Sequence, residues 1–210
     1  MKPPAVPPPP PEKASAHRAP KPEAARLGWR VLTTHYPHEG KVNKLRVDLL
    51  ALPRRAEPMQ YSYLERAQSV IIVPVTARGE IVLIRQYRYA VDDYCLELPA
   101  GGLHDTGDAS LEEVVRKELH EEIGATAGAV EYVNWFYSSS SLSNEICHVH
   151  LASDVQLAAP SENEAGEHIE PIILPAKEAL ALLRRGEMKT GTCALSLLLC
   201  EARLRERGWL

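Results

Sequence analysis

The sequence predicts an α/β (α+β) fold in which a mixed β-sheet is sandwiched between helices. Short runs rich in Val and Ile alternate irregularly with helical stretches along the 210 residues. Several runs are separated only by short turns, as in hairpins, which a doubly wound parallel sheet does not allow. The hydrophobic fraction of 45% and the charged fraction of 25% are typical of a globular protein. A chain of this length buries one substantial core.

Three stretches of the chain differ in composition. Residues 1–25 hold nine of the seventeen prolines and are predicted to be a disordered, Pro-rich tail, because proline supplies no backbone donor. Residues 26–66 are predicted to be an N-terminal β arm with strands at 29–36 and 44–52, separated by turn-forming residues. Residues 67–210 form the main domain.

The elements of the main domain follow from their apolar patterns. Residues 70–76 and 80–87 are rich in Val and Ile, and they predict a strand pair joined by a turn at 77–79. Three later strands and two closing helices are also predicted, at residues 130–138, 145–155, 169–174, 176–186 and 192–208.

Charge and hydropathy exclude several classes of protein. The net charge of -4 argues against a nucleic-acid binder that works through a basic surface. No apolar run reaches the ~20 residues that span a bilayer, and no apolar segment of a secretory signal is present. We therefore expect a cytoplasmic protein without nucleic-acid or membrane partners. The cysteines lack metal-site spacing and are predicted to be core residues in a reducing compartment: Cys95, Cys147, Cys193 and Cys200.

An amphipathic acidic helix is predicted over residues 110–123. Asp108 or Ser110 is expected to cap it, and Gly124 is expected to end it. Apolar residues recur at four-residue steps and predict its buried stripe: Leu111, Val115, Leu119 and Ile123.

Three glutamates of this helix predict a cation site. Glu118, Glu121 and Glu122 are spaced i, i+3 and i+4, so their carboxylates gather on one side of the helix. Clustered carboxylates suit Mg²⁺ or Mn²⁺. Three glutamates alone are more often a solvated acidic face. The order KELHEEIGA, preceded by the bare backbone of PAGG, favours the metal site.

Residues 118–125, ELHEEIGA, resemble the second half of the Nudix box, GX5EX7REUXEEXGU, at every defined position. The upstream half departs from that pattern. Lys117 stands where arginine is usual, with Arg116 just before it, and the first glutamate of the box is absent or replaced by Asp108. The stretch VLIRQYRYA…LELPAGG is similar to the ADP-ribose pyrophosphatase-like branch of the Nudix hydrolase superfamily. The resemblance extends over most of residues 45–205.

The resemblance implies a Nudix-type fold, a divalent cation and specific roles for residues of the box. The implied metal ligands are Glu118, Glu122, Glu121 and the carbonyl of Ala100. The general base is expected to be Glu121, Glu167 or Glu164. Three further residues match structural positions of the box: Lys117, Gly101 and Gly124.

Substrate contacts are expected from four residues outside the acidic helix. Arg85 and Arg88 lie three positions apart on a strand and therefore face opposite sides, and the resemblance favours Arg88 for the ligand. Glu97 and Glu145 match substrate-binding positions of the branch. Residues 140–141 read Ser-Ser where the branch usually has Pro-Gly, so a related nucleotide sugar stays an alternative to ADP-ribose.

Several other residues are weaker candidates for metal binding or for stacking on a base. His148 and His150 share one face of a strand, where we expect sheet-surface residues and not a metal pair. Trp29, Trp135 and Tyr87 can stack on a base, although packing is the default role of an aromatic ring on a strand.

The predicted function is divalent-metal-dependent hydrolysis of the pyrophosphate bond of a nucleoside diphosphate-linked compound, most simply ADP-ribose, to a nucleoside monophosphate and a sugar phosphate. Mg²⁺ is the expected cofactor, with Mn²⁺ possible. The resemblance also implies a homodimer formed through the arm at residues 26–66. The alternative is a non-catalytic sensor of the same fold that binds a nucleotide-sugar metabolite.

Overall fold

The computed structural model describes residues 21–104, 106–161 and 168–210. The described residues form two compact units. The main unit comprises Ser69–Trp135 and Cys147–Leu210, and the arm unit comprises the described residues up to Gln68 together with Phe136–Ile146. The arm unit therefore holds a later segment of the chain as well as the predicted arm.

The arm unit is built on a three-stranded antiparallel sheet in the order β1-β2-β3. The third strand was not predicted, because its exposed polar residues and the prolines before it hide the β pattern. Its ladder with β2 defines it, with Asp48 opposite Tyr61. The elements are α1 (Pro22–Arg26), β1 (Arg30–Glu39), β2 (Asn43–Ala51) and β3 (Met59–Arg66).

The main unit contains a mixed four-stranded sheet in the order β7-β4-β10-β9, in which β10 runs parallel to β4 and β7 antiparallel to it. An antiparallel sheet β12-β5-β6 and a short pair β11-β8 accompany it. The strands are β4 (Ser69–Pro74), β5 (Glu80–Arg88), β6 (Asp93–Glu97), β7 (Ala100–Gly102), β8 (Ala125–Thr126), β9 (Ala129–Tyr137), β10 (Ile146–Ser153), β11 (Gln156–Leu157) and β12 (Ile169–Pro175). The helices are α2 (Leu111–Ile123), α3 (Ala176–Arg184) and α4 (Gly191–Glu206).

The predicted pairing of residues 70–76 with 80–87 is wrong. The turn forms, since the Thr76 amide donates to the Glu80 carbonyl at 2.8 Å. However, β4 and β5 lie in different sheets, and an isolated bridge joins Ile81 to Val75, the residue after β4. β4 pairs with β10 and β7, and β5 pairs with β12 and β6. The partners β10 and β12 come from distant parts of the sequence, which a local apolar pattern cannot reveal.

The core lies between the four-stranded sheet and α2. Val70 and Ile72 of β4 pack with the predicted stripe of α2, of which Val115 and Leu119 are fully buried. Ile71 is also buried and points to the opposite face of β4, and α4 also contacts β4. The predicted mixed sheet between helices is thereby confirmed.

Both ends of α2 are defined by side-chain and backbone caps. Ser110, and not Asp108, is the N-cap: its hydroxyl accepts from the Glu113 amide, and the Glu113 carboxylate accepts from the Ser110 amide at 2.7 Å. Gly124 ends the helix in the left-handed region at φ 60°. In the described parts of the chain, no helix has the length and hydropathy to span a membrane.

The expectation that His148 and His150 lie on a sheet surface is wrong. They are 1% and 3% exposed, because β10 lies inside its sheet between β4 and β9. Burial lowers the pKa of each imidazole to about 4. The Tyr132 hydroxyl lies 3.4 Å from Nδ1 of His148, and its ring packs edge-on against His150.

Candidate active site

The backbone of β7 approaches the acidic face of α2 directly. A Cβ atom added to Gly101 would lie 2.0 Å from Cδ of Glu118, so only glycine admits that carboxylate. The neighbouring Ala100 amide donates to Oε2 of Glu122 at 3.0 Å. In the ladder, the Ile72 amide donates to the Pro99 carbonyl at 2.9 Å, and Ala100 is the next residue of β7. The alternation of an antiparallel pair then turns the Ala100 carbonyl away from β4, on the same side as its amide.

The three glutamates of α2 that were predicted to form the cation site have different environments. Glu122 is 5% exposed, and the side chain of Glu118 is 13% exposed, so both carboxylates are held at the backbone of β7. The Glu121 side chain is 38% exposed, and its Oε2 accepts from Nζ of Lys117 at 2.8 Å. Nζ of Lys117 also lies 4.0 Å from Oε1 of Glu118. Lys117 therefore lies between two of these glutamates, Glu118 and Glu121.

Arg116 does not take the place of the arginine in the pattern described above, where this chain has Lys117. Its guanidinium donates to Glu112 at 2.8 Å and to the Ala127 carbonyl at 2.7 Å. Both contacts are directed away from Glu118 and Glu122. Of these two cations, Lys117 is therefore the one that bonds a glutamate of the acidic site, Glu121.

The donor set of this site suits a hard divalent cation. Within residues 21–104, 106–161 and 168–210, no three or more His, Cys, Asp or Glu side chains are grouped to hold a metal ion together. The donors are instead two carboxylates, Glu118 and Glu122, beside the outward-facing carbonyl of Ala100. Mg²⁺ is commonly bound by one or two carboxylates, with water and substrate oxygens completing the shell. The residues present fit such an ion.

A second cluster contains a buried carboxylate between an arginine and a threonine. Oε2 of Glu97 accepts from Nε and Nη2 of Arg88 at 3.0 and 2.5 Å, and Oε1 accepts from the Thr190 hydroxyl at 2.6 Å. Glu97 is 3% exposed, whereas the Arg88 side chain is 46% exposed. Burial alone would lower the pKa of Arg88, but its hydrogen bonds to Glu97 and the nearby charge of Glu122 raise it. Arg88 stays cationic and faces solvent beside the acidic site.

Sequence reasoning missed Thr190. The threonine lies 93 positions after Glu97, in the segment before α4. No motif of the sequence points to it, since a single threonine before a helix reads as an ordinary cap.

Arg85 lies on the other face of β5, as its spacing from Arg88 predicted. Its guanidinium packs 4.1 Å from the ring centroid of Tyr94 and lies 3.5 Å from Oε2 of Glu170. These contacts are those of a surface arginine held by its neighbours. A substrate contact by Arg85 stays a prediction that these contacts do not favour.

Three other predicted site residues belong to the arm unit or fall outside the described residues. Glu145, in the arm unit, is 6% exposed and accepts from Nη1 of Arg66 at 2.8 Å. Its substrate-binding role stays a prediction. Glu164 and Glu167, two of the candidate bases, lie outside the described residues.

The arm unit has a cavity of its own, of about 380 Å³. A buried ionic network lies beside it, in which Arg46 contacts Asp48 and Glu65, each at 2.9 Å. Aromatic rings can stack on a planar group, and serine and asparagine side chains can hydrogen-bond it. The aromatic and polar residues that line the cavity are Trp29, Tyr61, Tyr63, Tyr137, Lys21, Asp48, Ser140, Ser143 and Asn144.

The chain is similar in sequence and in fold to known proteins. A model of the NUDIX domain matches residues 65–192. An ADP-ribose pyrophosphatase from Bacillus subtilis is 29% identical over 159 residues, which cover 75% of this chain and 84% of the relative. A GDP-mannose pyrophosphatase from Citrobacter koseri is 34% identical over 124 residues, 56% of this chain and 64% of the relative. The crystal structure of an ADP compounds hydrolase has a similar fold, with a TM-score of 0.74 at 20% identity, covering 87% of this chain and 97% of that one.

Proposed function

This chain belongs to the Nudix family and to its ADP-ribose pyrophosphatase-like branch, and from that premise we propose that it hydrolyses the diphosphate bond of ADP-ribose or a related nucleotide sugar with a divalent cation. The predicted enzyme class, a Nudix pyrophosphatase, is confirmed by the same similarities. The expected products are a nucleoside monophosphate and a sugar phosphate.

One observation carries the proposal: two shielded carboxylates converge on the bare backbone of β7. Glu118 contacts Gly101, and Glu122 accepts from the Ala100 amide. Like charges at i, i+4 repel each other, and this arrangement keeps both next to the same short strand. A cation bound there offsets that repulsion, which a solvated acidic face would not need.

The residues that would hold the cation are Glu118, Glu122 and the Ala100 carbonyl, with Glu121 a further candidate. We propose Mg²⁺, and Mn²⁺ suits the same oxygen donors. When bound, a divalent cation neutralises diphosphate oxygens and lowers the pKa of a water molecule.

A carboxylate must then accept the proton of the attacking water. Glu121 is a candidate because its side chain is partly exposed beside the two buried carboxylates, and Lys117 fixes one of its oxygens at 2.8 Å. Glu164 and Glu167 remain the alternative bases. Each assignment is tested by replacing the residue with glutamine and following the acidic limb of the pH–rate profile, where protonation of a general base lowers the rate.

Arg88 is the proposed diphosphate-binding residue. Its guanidinium has five N–H donors, of which Glu97 takes two, and nearly half of the side chain is exposed. A guanidinium recognises phosphate oxygens through paired hydrogen bonds. Glu97 thus orients Arg88 toward the substrate from behind.

The similarities and the sequence do not favour the same substrate, so both ADP-ribose and another nucleotide sugar are candidates. The Bacillus subtilis relative, aligned over 84% of its length, is named for ADP-ribose, whereas the Citrobacter koseri relative of 34% identity is named for GDP-mannose. Ser140 and Ser141 replace the Pro-Gly pair typical of the branch, and Ser140 lines the cavity of the arm unit. We propose ADP-ribose as the first substrate to assay and GDP-mannose as the second.

The test is turnover of purified protein on ADP-ribose, GDP-mannose, UDP-glucose and a nucleoside triphosphate, with Mg²⁺ or Mn²⁺. Glu122→Gln is expected to lose at least 100-fold in kcat, because one charge of the cation site is removed. Glu112→Gln is the matched control, since Glu112 lies on the same helix but pairs with Arg116 at 2.8 Å, outside the site. Equal activity of wild type and Glu122→Gln would contradict the proposal.

A sensor that binds a nucleotide sugar without hydrolysing it is the second candidate. Lys117 favours it, because a single ammonium lacks the bidentate fork of the family arginine. Calorimetric binding of ADP-ribose or GDP-mannose by wild type, with no product after prolonged incubation, would establish the sensor.

We also propose that the chain forms a homodimer through its arm. Strand β1 is an edge strand that is exposed along almost its entire length, and Val31 and Leu32 are 45% and 44% exposed. Exposed apolar edge strands pair readily with other chains. Light scattering is expected to give twice the chain mass for wild type and a monomer for Leu32→Arg. A monomeric wild type would exclude the dimer. A cytoplasmic location stays a prediction.

A further inference from the structure

We propose that Thr190 is a positioning residue, which acts through Glu97 to set the orientation of the Arg88 guanidinium. The link to catalysis rests on the proposed function, in which Arg88 binds the diphosphate. The positional part of the inference rests on contacts of the main unit alone.

The three groups form a chain of hydrogen bonds from a buried to an exposed position. Both N–H donors of Arg88 reach the same oxygen, Oε2 of Glu97, at 3.0 and 2.5 Å. The other oxygen, Oε1, accepts from Thr190 at 2.6 Å. The Nε–Nη2 edge of the arginine therefore binds a single carboxylate oxygen, and not both oxygens in the fork that an arginine–carboxylate pair usually prefers. The threonine hydroxyl occupies the oxygen that the fork would use.

The backbone around Thr190 shows a second, independent sign of this role. Thr190 is the N-cap of α4, with extended backbone at φ −77° and ψ 106°. A threonine at this position normally accepts a hydrogen bond from the first turn of its helix. Here the side chain makes no cap hydrogen bond, and its hydroxyl donates to Glu97 instead. The start of α4 is thus tied to the end of β6.

Loss of the hydroxyl has a specific consequence. Oε1 of Glu97, in a carboxylate that is 3% exposed, would lose this partner and would gain by turning toward Arg88. The guanidinium would then rotate into the two-oxygen fork, which also uses two of its five donors, and the remaining three would turn away from the direction in which the diphosphate binds. Substrate binding weakens, while the groups that act on the water molecule are unchanged.

Thr190→Val tests this inference, because valine keeps the shape of threonine without its hydroxyl. KM for the diphosphate substrate is expected to rise about tenfold, with kcat within twofold of wild type. Thr190→Ser keeps the hydroxyl and is expected to restore KM. The matched control is Thr76→Val, which removes a threonine–glutamate hydrogen bond of 3.0 Å, to Glu80, in a turn outside the site. An unchanged KM in Thr190→Val, or a raised KM in Thr190→Ser, would overturn the inference.

A double-mutant cycle separates positioning from general damage. If Thr190 acts through Arg88, Thr190→Val adds nothing to the raised KM of Arg88→Ala. A further tenfold rise in that background would show that Thr190 acts by another route. If Thr190→Val does not fold, Thr190→Ala takes its place in both experiments, with a rise of at least threefold expected.

A ligand-free measurement distinguishes this inference from the proposed function. The Nε–H resonance of Arg88 is assigned in a ¹H–¹⁵N spectrum by its loss in Arg88→Lys. It is expected to shift in Thr190→Val and to stay in place in Thr76→Val. A resonance that does not move overturns the inference even in an active enzyme. A resonance that moves, in a protein that hydrolyses no diphosphate, overturns the proposed function and leaves the inference standing.

Discussion

The carboxylate of Glu118 occupies the space where a side chain on Gly101 would lie. A Cβ atom at Gly101 would be 2.0 Å from Cδ and 2.1 Å from Oε1 of that glutamate. Side-chain packing in the main unit therefore brings α2 and β7 together at a backbone position that lacks a side chain. The same contact places the proposed metal ligands Glu118 and Ala100 side by side.

Gly101→Ala is expected to abolish activity with little loss of stability. The new methyl group would meet the flexible end of the Glu118 side chain, which can rotate away. The free energy of unfolding is therefore expected to change little. The displaced carboxylate cannot hold the cation, and a fall of at least 100-fold in kcat is expected, with Mn²⁺ affinity weakened about 10- to 100-fold. Mn²⁺ titration by electron paramagnetic resonance and thermal unfolding measure the two effects.

The matched control for that variant is Gly191→Ala, where an added Cβ meets nothing within 4 Å. It is expected to keep both activity and metal affinity. Wild-type Mn²⁺ affinity in Gly101→Ala would remove Glu118 from the cation site.

Lys117→Arg is expected to raise kcat/KM about threefold. The ammonium of Lys117 contacts Oε2 of Glu121 at 2.8 Å and lies 4.0 Å from Glu118. A guanidinium offers paired donors that bond both carboxylates at once and hold them in a single orientation. Lys117→Gln is expected to lower kcat/KM roughly tenfold. Lys177→Arg, on the exposed face of α3, serves as the control in steady-state kinetics, and a fall in Lys117→Arg would show that the site is adapted to lysine.

Gly124→Ala is expected to lower the free energy of unfolding by about 2–5 kcal/mol. The left-handed backbone at φ 60° costs a residue with a side chain roughly 1–2 kcal/mol. The new Cβ would also lie 1.9 Å from the carbonyl oxygen of Ala159, which adds about 1–3 kcal/mol of overpacking. Gly186→Ala isolates the first effect, since Gly186 has φ 72° and open space around it. Urea denaturation compares the two, and equal losses would show that the Ala159 contact relaxes freely.

Acid is expected to destabilise the main unit through His148 and His150. Burial lowers the pKa of each to about 4, from the ordinary 6.5 that the unfolded chain keeps. Between those values the unfolded chain binds protons that the folded chain does not, so the free energy of unfolding falls as the pH is lowered from 6.5 to 4. At about 1.4 kcal/mol per pKa unit, each histidine contributes a loss of up to about 3 kcal/mol.

The measurement is the free energy of unfolding at a series of pH values for wild type and for the double variant His148→Gln/His150→Gln. The double variant is expected to show a shallower slope between pH 4 and 6.5. His35→Gln, an exposed position of the arm unit, is expected to keep the wild-type slope. A wild-type slope in the double variant would assign the acid sensitivity to other groups.

The sequence alone determined the features that depend on neighbours along the chain. The apolar stripe of α2 and the stop at Gly124 follow from local spacing, since helix periodicity and capping act within a few residues. Local spacing limited the N-cap to Asp108 or Ser110, and the structure selects Ser110. The order ELHEEIGA was enough to indicate the family, and the spacing of Arg85 and Arg88 was enough to separate their faces.

The tertiary structure decided what depends on partners distant in sequence. The sequence of residues 70–76 and 80–87 predicts a hairpin. In the structure, β4 instead pairs with β10, and β5 pairs with β12. His148 and His150 became buried because β10 lies inside a sheet. Thr190 reached Glu97 across 93 positions. Local propensity does not predict which strands are neighbours in a sheet, because the strand order is set by the burial of the whole core.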